Sequence, residues 1–178
     1  MKKLLYILFF ILPINPGPVL FGQTSEYVLK AVFLEKFSRF ITWPATPEFA
    51  DTSKPFIITV IGSNVFENGI EKVYAKQKIK NKTVQVKKIN SLDDIGNTNM
   101  LFISYSETHR LNEILKFVEG RPIVTIGDTK GFGDDGVMIN FVIEDQHIRF
   151  EINETVVRKS KLQFSYMLLN QSKIIKTP

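Results

Sequence analysis

Pro55-Phe56-Ile57-Ile58-Thr59-Val60-Ile61-Gly62 is an unbroken apolar run, rich in β-branched residues, that opens on proline and closes on glycine. A strand with one wet face alternates polar and apolar residues. A run that stays apolar at successive positions is covered on both faces, which is how a strand of a parallel sheet beneath helices reads. Upstream, Ser25 to Ile41 carries Val28, Leu29, Val32, Phe33, Phe37, Phe40 and Ile41 at helical spacing, so one apolar stripe runs along it. Ser25 stands at the N-cap position, and Trp43-Pro44 ends the helix because the residue before proline avoids helical angles. The single tryptophan, Trp43, is expected to close one end of the core.

Downstream, Asn64 to Gln77 reads as a helix with Phe66, Ile70 and Val73 inward. Thr83 to Ile89 alternates and is a half-buried or edge strand. Met100 to Ser104 and Pro122 to Gly127 are further strands, with a helix over Thr108 to Glu119 between them. Strands alternating with helices predict a parallel sheet joined by right-handed crossovers. The pattern then changes. Val137 to Ile143 and His147 to Asn153 both alternate, and only Glu144-Asp145-Gln146 separates them. That is too short for a crossover, so the two form an antiparallel hairpin. Asn153 caps a helix from Glu154 to Ser160, and Ser165 to Gln171 forms a last short one. The expected architecture is α/β: four parallel strands plus a C-terminal antiparallel hairpin in one mixed sheet, with helices on both faces.

The chain has 178 residues, enough for a single domain. Its start reads as an address: Lys2-Lys3, the nine apolar residues Leu4 to Leu12, then Pro13 and Pro16-Gly17-Pro18. This is the pattern of a secretory signal peptide over residues 1–22, too short to span a bilayer, leaving a domain over 23–178. The net charge of +5 is spread along the chain, and nucleic acid is a poor partner for so mild a bias on an exported protein. The densest basic stretch, Lys72 to Lys88, could attract anions; a solvated helix face and turn is the plainer reading. There is no cysteine, which excludes disulfides, thiolate metal sites and thiol nucleophiles.

Gly131-Phe132-Gly133-Asp134-Asp135-Gly136 spells G-x-G-x-x-G, but it leads into a strand, so no helix N-terminus awaits a phosphate. Glycines in a reversal between strands explain it without a ligand. Asp128, Asp134 and Asp135 lack the spacing of a calcium loop and read as solvated acids. His109 and His147 have no acid or serine at a fixed spacing, so neither a triad nor a metal centre is signalled. No catalytic set and no cofactor site is expected. Phe132, between two glycines, is either packed under the sheet or held out for a partner, and packing is the commoner outcome.

A resemblance adds to this. Lys30-Ala31-Val32-Phe33-Leu34-Glu35-Lys36-Phe37 runs to an F-x-x-W-P ending at Phe40 to Pro44. Ile58 to Gly62, Gly131-Phe132, Gly136 to Phe141 and Ile148 to Asn153 follow in order, then Arg158 to Leu162 and an S-x-x-L-L ending at Ser165 to Leu169. In order and spacing these stretches resemble the YfiR-like family of periplasmic regulators across residues 26–170. The resemblance implies a Rossmann-like three-layer sandwich without catalysis of its own. It also implies residence in the periplasm and inhibition of a membrane-bound diguanylate cyclase by contact with its extracytoplasmic domain, holding down cyclic-di-GMP production and biofilm formation. Better-known members carry cysteine pairs; this chain has none, so a thiol switch is excluded. Lys161 stands where a glycine is common.

The side chains best placed to protrude toward a partner are Phe132 and Met138, with Arg149 and Glu151 on the outward face of the hairpin. Homodimer formation is left open, and membrane insertion after signal cleavage is not expected. The alternative reading, a periplasmic small-molecule-binding or sensory module, predicts a pocket at the carboxyl ends of the parallel strands near Gly62, Ser104 and Gly127.

Overall fold

The computed structural model describes residues 21–63 and 65–177. Residues 1–20 of the expected signal peptide lie outside them. Helix α1 (Phe21–Phe40) leads into a two-residue strand β1 (Ile41–Thr42) and a one-turn helix α2 (Pro47–Ala50). There follow β2 (Phe56–Ile61), α3 (Gly69–Tyr74), β3 (Val84–Ile89), β4 (Met100–Ile103), α4 (Leu111–Val118) and β5 (Val124–Gly127). The C-terminal part holds β6 (Ile139–Glu144), β7 (His147–Asn153), α5 (Glu154–Lys159), β8 (Gln163–Phe164), α6 (Tyr166–Asn170) and β9 (Lys173–Ile175). Seven strands form one sheet in the order β3-β2-β4-β5-β6-β7-β9, and β1 pairs with β8 in a small second sheet.

The run that decides the fold behaves as its pattern predicts. β2 lies between β3 and β4, parallel to both, and Ile58, Val60 and Ile61 are wholly buried. Successive side chains of a strand leave on opposite faces, so the sheet has two cores. Ile58, Val60, Phe102, Ile126 and Ile152 meet α1 and α3 on one face, where Phe37 packs edge-on to Phe150. Ile61, Leu101 and Ile103 meet Leu111, Ile114 and Val118 of α4 on the other. The result is a three-layer α/β sandwich.

Several details differ from the sequence reading. α1 already includes Phe21, so Ser25 lies inside the helix instead of capping it. α3 is a short helix starting at Gly69, and a 3-10 turn over Tyr105–Arg110 precedes α4. β6 is a fifth parallel strand beside β5 as well as the first strand of the hairpin. The glycine-rich segment 128–138 is therefore a crossover between parallel strands, not a reversal. β1, β8 and β9 carry too few residues for any periodicity to register. The hairpin loop is only Asp145-Gln146, both with positive φ (49° and 61°), which is the conformation a two-residue turn needs to match strand twist.

Candidate interaction surface

In a doubly wound sheet a ligand crevice opens where strand order reverses, at the carboxyl ends of the strands. Here that place is between β2 and β4, and the chain fills it with its own side chains. Ser104 Oγ donates to Ser63 O at 2.6 Å, and Ser63 N–H donates to Ser106 Oγ at 2.9 Å. The buried Glu107 accepts from Ser106 and pairs with Arg110 at 2.5 Å. Gly62 has φ +88°, and a Cβ there would come within 2.4 Å of Glu107 Oε1 and Ser106 Oγ. Only a glycine leaves room for this plug. The pocket expected near Gly62 and Ser104 is thus occupied by protein.

One strand further, at the end of β5, Asp128 is not a solvated acid. Lys30 Nζ sits 2.7 Å from Asp128 Oδ2 and 2.6 Å from Glu26 Oε1, with the Lys30 and Asp128 side chains almost fully buried. Burial first, and the Asp128 charge second, push the Tyr27 phenol well above its ordinary range. Ninety-eight residues separate Lys30 from Asp128, so no local pattern could have paired them. Asp134 and Asp135 are exposed as expected, and the described residues contain no cluster of metal-ligating side chains. His109 and His147 are exposed, and the Nδ1 atom of each meets a nearby backbone oxygen, that of Ser106 and that of Asp145.

Three of the four residues expected to protrude do not. Phe132 is 1% exposed and packs in the second core, its ring edge over Gly127, where a Cβ would stand 2.7 Å from Phe132 Cδ2. Met138 is buried in the first core, and its N–H donates to Thr125 Oγ1. Glu151 lies on the expected strand face, but segment 128–138 crosses over that face and buries it. Asn140, directly opposite on β6, donates to Glu151 Oε1 at 3.0 Å, and Gly133 packs against the carboxylate. Alternation gives the face a residue occupies; it cannot say what loop later covers that face. Arg149 alone is exposed.

The two large apolar side chains that reach solvent most were not singled out from the sequence as surface groups, and Val28 and Leu29, expected on the apolar stripe of α1, are exposed as well. Tyr166 is 76% and Met167 65% exposed, on α6. Their direction is fixed. Ser165 Oγ accepts from Leu168 N–H as the N-cap, Ser165 N–H donates to Phe40 O at 2.8 Å, and Leu168 is buried in the first core. With Leu168 inward, the two preceding residues turn outward. α6 packs on β9, which pairs with β7 at the edge of the sheet and leaves Ile174 exposed. From Thr155 to the C-terminus there are five cations (Arg158, Lys159, Lys161, Lys173, Lys176) and no acid. Three of the five are paired, Arg158 and Lys176 with Glu154 and Lys173 with Glu151, so the excess legible in the sequence here is smaller than that of the Lys72 to Lys88 stretch at the β3 edge.

Apolar side chains exposed on a rigid, charged edge suit contact with another protein surface. Among the described residues no helix is long and apolar enough to cross a membrane. No protein of curated function matches the chain significantly in sequence. The YfiR/HmsC-like family profile matches residues 27–173, a span that includes both the F-x-x-W-P ending of α1 and the Ser165-capped α6. The chain therefore belongs to the YfiR/HmsC-like family, which implies a periplasmic regulator of cyclic-di-GMP signalling.

Proposed function

We propose that this protein is a non-catalytic periplasmic binding protein that restrains a membrane-bound diguanylate cyclase by contact with the cyclase's extracytoplasmic domain. Family membership supports the setting, and the exposure of Tyr166 and Met167 on a helix locked by its cap and by Leu168 supports the contact. That exposure is the observation on which the reading rests. A repressor of this kind makes and breaks no bonds. It need only bind the inactive state of the cyclase more tightly than the active one, and the difference in affinity sets the extent of inhibition. Tyr and Met suit such a contact: each offers a large apolar area that loses little when desolvated, and the surrounding cations steer an acidic partner into register. Arg149, exposed on the hairpin at the same end of the sheet order, belongs to the proposed surface.

The test is co-expression with a membrane-bound diguanylate cyclase encoded beside it, reading cellular cyclic-di-GMP. The native chain should lower the level, and Tyr166→Ala with Met167→Ala should release it while the protein stays folded and exported. A double variant that represses as well as the native chain removes this surface from the mechanism.

A further inference from the structure

At the amino ends of β2, β4 and β5 the structure leaves a groove of about 580 Å³, within the range of small-molecule sites. One wall is aromatic. Trp43 and Phe49 stack with centroids 5.6 Å apart and planes 18° from parallel. Lys54, Lys82 and Arg121 line the groove against a single acid, Glu48. None of these three cations forms an ion pair among the described residues. Lys82 is buried, and its ammonium donates to the backbone oxygens of Asp51 and Lys54, which leaves one of its three N–H groups over. Arg121 gives an N–H to Gly96 O and keeps the rest of its fork. Asp51 lies outside the groove lining; its Oδ1 accepts from Ser53 N–H and Oγ, and its charge reaches Lys54 and Lys82 without forming an ion pair with either.

Two further observations point to a ligand. Trp43 Nε1 is buried with no hydrogen-bond partner, a state that costs free energy unless an acceptor arrives. Phe49, stacked on the indole, is only half-buried on α2 and lines the groove, so the aromatic wall stays within reach of a ligand while the ring packs on the first core. We propose that this groove binds a small organic anion, a carboxylate carried on a flat apolar body. The body takes the Trp43–Phe49 wall, and the carboxylate lies among Lys54, Lys82 and Arg121. Charge excess and a flat apolar wall together select this class: an inorganic anion would leave the aromatic wall unused, and a neutral ring would leave the cations unneutralised. The inference is independent of the cyclase contact, since it uses other residues at another end of the strands.

The experiment is calorimetric titration of the mature chain with benzoate, benzamide and inorganic phosphate. Fluorescence of Trp43, the single tryptophan, serves as the reporter of position. Benzoate should bind saturably, with Kd on the order of a millimolar for so small a ligand, and should shift the Trp43 emission. Benzamide and phosphate should each bind at least about tenfold more weakly. Lys54→Gln combined with Arg121→Gln should weaken benzoate about tenfold with an unchanged melting temperature, and Lys82→Met should do the same if the loop it ties stays folded. Equal binding of benzamide and benzoate, benzoate binding that leaves Trp43 emission unmoved, absence of saturable binding, or wild-type affinity in the double variant would each overturn the proposal.

Discussion

At the carboxyl ends of β2 and β4, Ser104, Ser106 and Glu107 fill the crevice that a doubly wound sheet ordinarily offers to a ligand, and Gly62 has no Cβ so that they can. At the amino ends of the same strands a groove stays open, lined by Trp43, Phe49 and three unpaired cations. The two ends of one set of strands therefore do opposite things. The closed end is held by buried polar groups that satisfy one another, so each member depends on the rest. The open end is held by backbone, rings and the buried Lys82, and its exposed side chains Lys54 and Gln85 can be changed at little cost. A fold-level rule about where ligands bind points to the end that this chain fills with its own side chains, which is the reason function has to be argued from the site.

That contrast can be broken by substitution. The largest effect is expected at Lys30. Lys30→Met strands the buried Asp128 carboxylate and should cost about 3–5 kcal/mol in chemical denaturation. Lys30→Met with Asp128→Leu should recover most of that loss, because the buried carboxylate is then gone and only the partly exposed Glu26 loses its partner. Failure of the second change to rescue the first would mean that the pair is not what closes this end. Next comes Gly62→Ala, which adds a Cβ into Glu107 and Ser106 at positive φ and should lower stability by about 1–3 kcal/mol. Gln85→Ala, at the open end and exposed, should fall within about 0.5 kcal/mol of the native chain in the same assay. Equal sensitivity at the two ends would erase the distinction.

A smaller effect follows from pH. Burial raises the Tyr27 and Tyr74 phenols above their ordinary value, with Asp128 next in importance for Tyr27 and Glu35 for Tyr74. A folded-state value above the unfolded one means that the unfolded chain loses its protons first as pH rises. Stability is then intact below about pH 10, the ordinary phenol value, and declines above it. Phenolate absorbance should show two tyrosines ionising later than the rest while the chain is folded, and Tyr74→Phe should flatten the alkaline decline.

How much of this could be read from the chain depends on the range over which a pattern acts. Pro55 to Gly62, Met100 to Ser104 and the hairpin strands declared their elements and their burial because alternation and apolar runs are local. The Asn153 cap was equally legible: its side chain accepts from Val156 N–H, three residues on. The candidate surface was legible only in part. Ser165 announces α6, and the acid-free basic segment 155–178 announces a charged edge, but which residues of α6 face outward depends on Leu168 finding the core. Met138 and Glu151 were placed as protruding groups, and Phe132 was left between packing, the outcome the structure shows, and protrusion, for a related reason. A glycine-flanked aromatic and an alternating acid look the same whether a loop covers them or not.

The sequence by itself determined the α/β class, the parallel strands and the hairpin, since hydrophobic periodicity sets which face of each element must leave water. Only the tertiary structure decided that Lys30 meets Asp128 from ninety-eight residues away, that Glu107 seals the usual crevice, and that the open groove lies at the opposite end of the strands. Those outcomes depend on which distant segments come to share a volume, and packing settles that only once every element is in place.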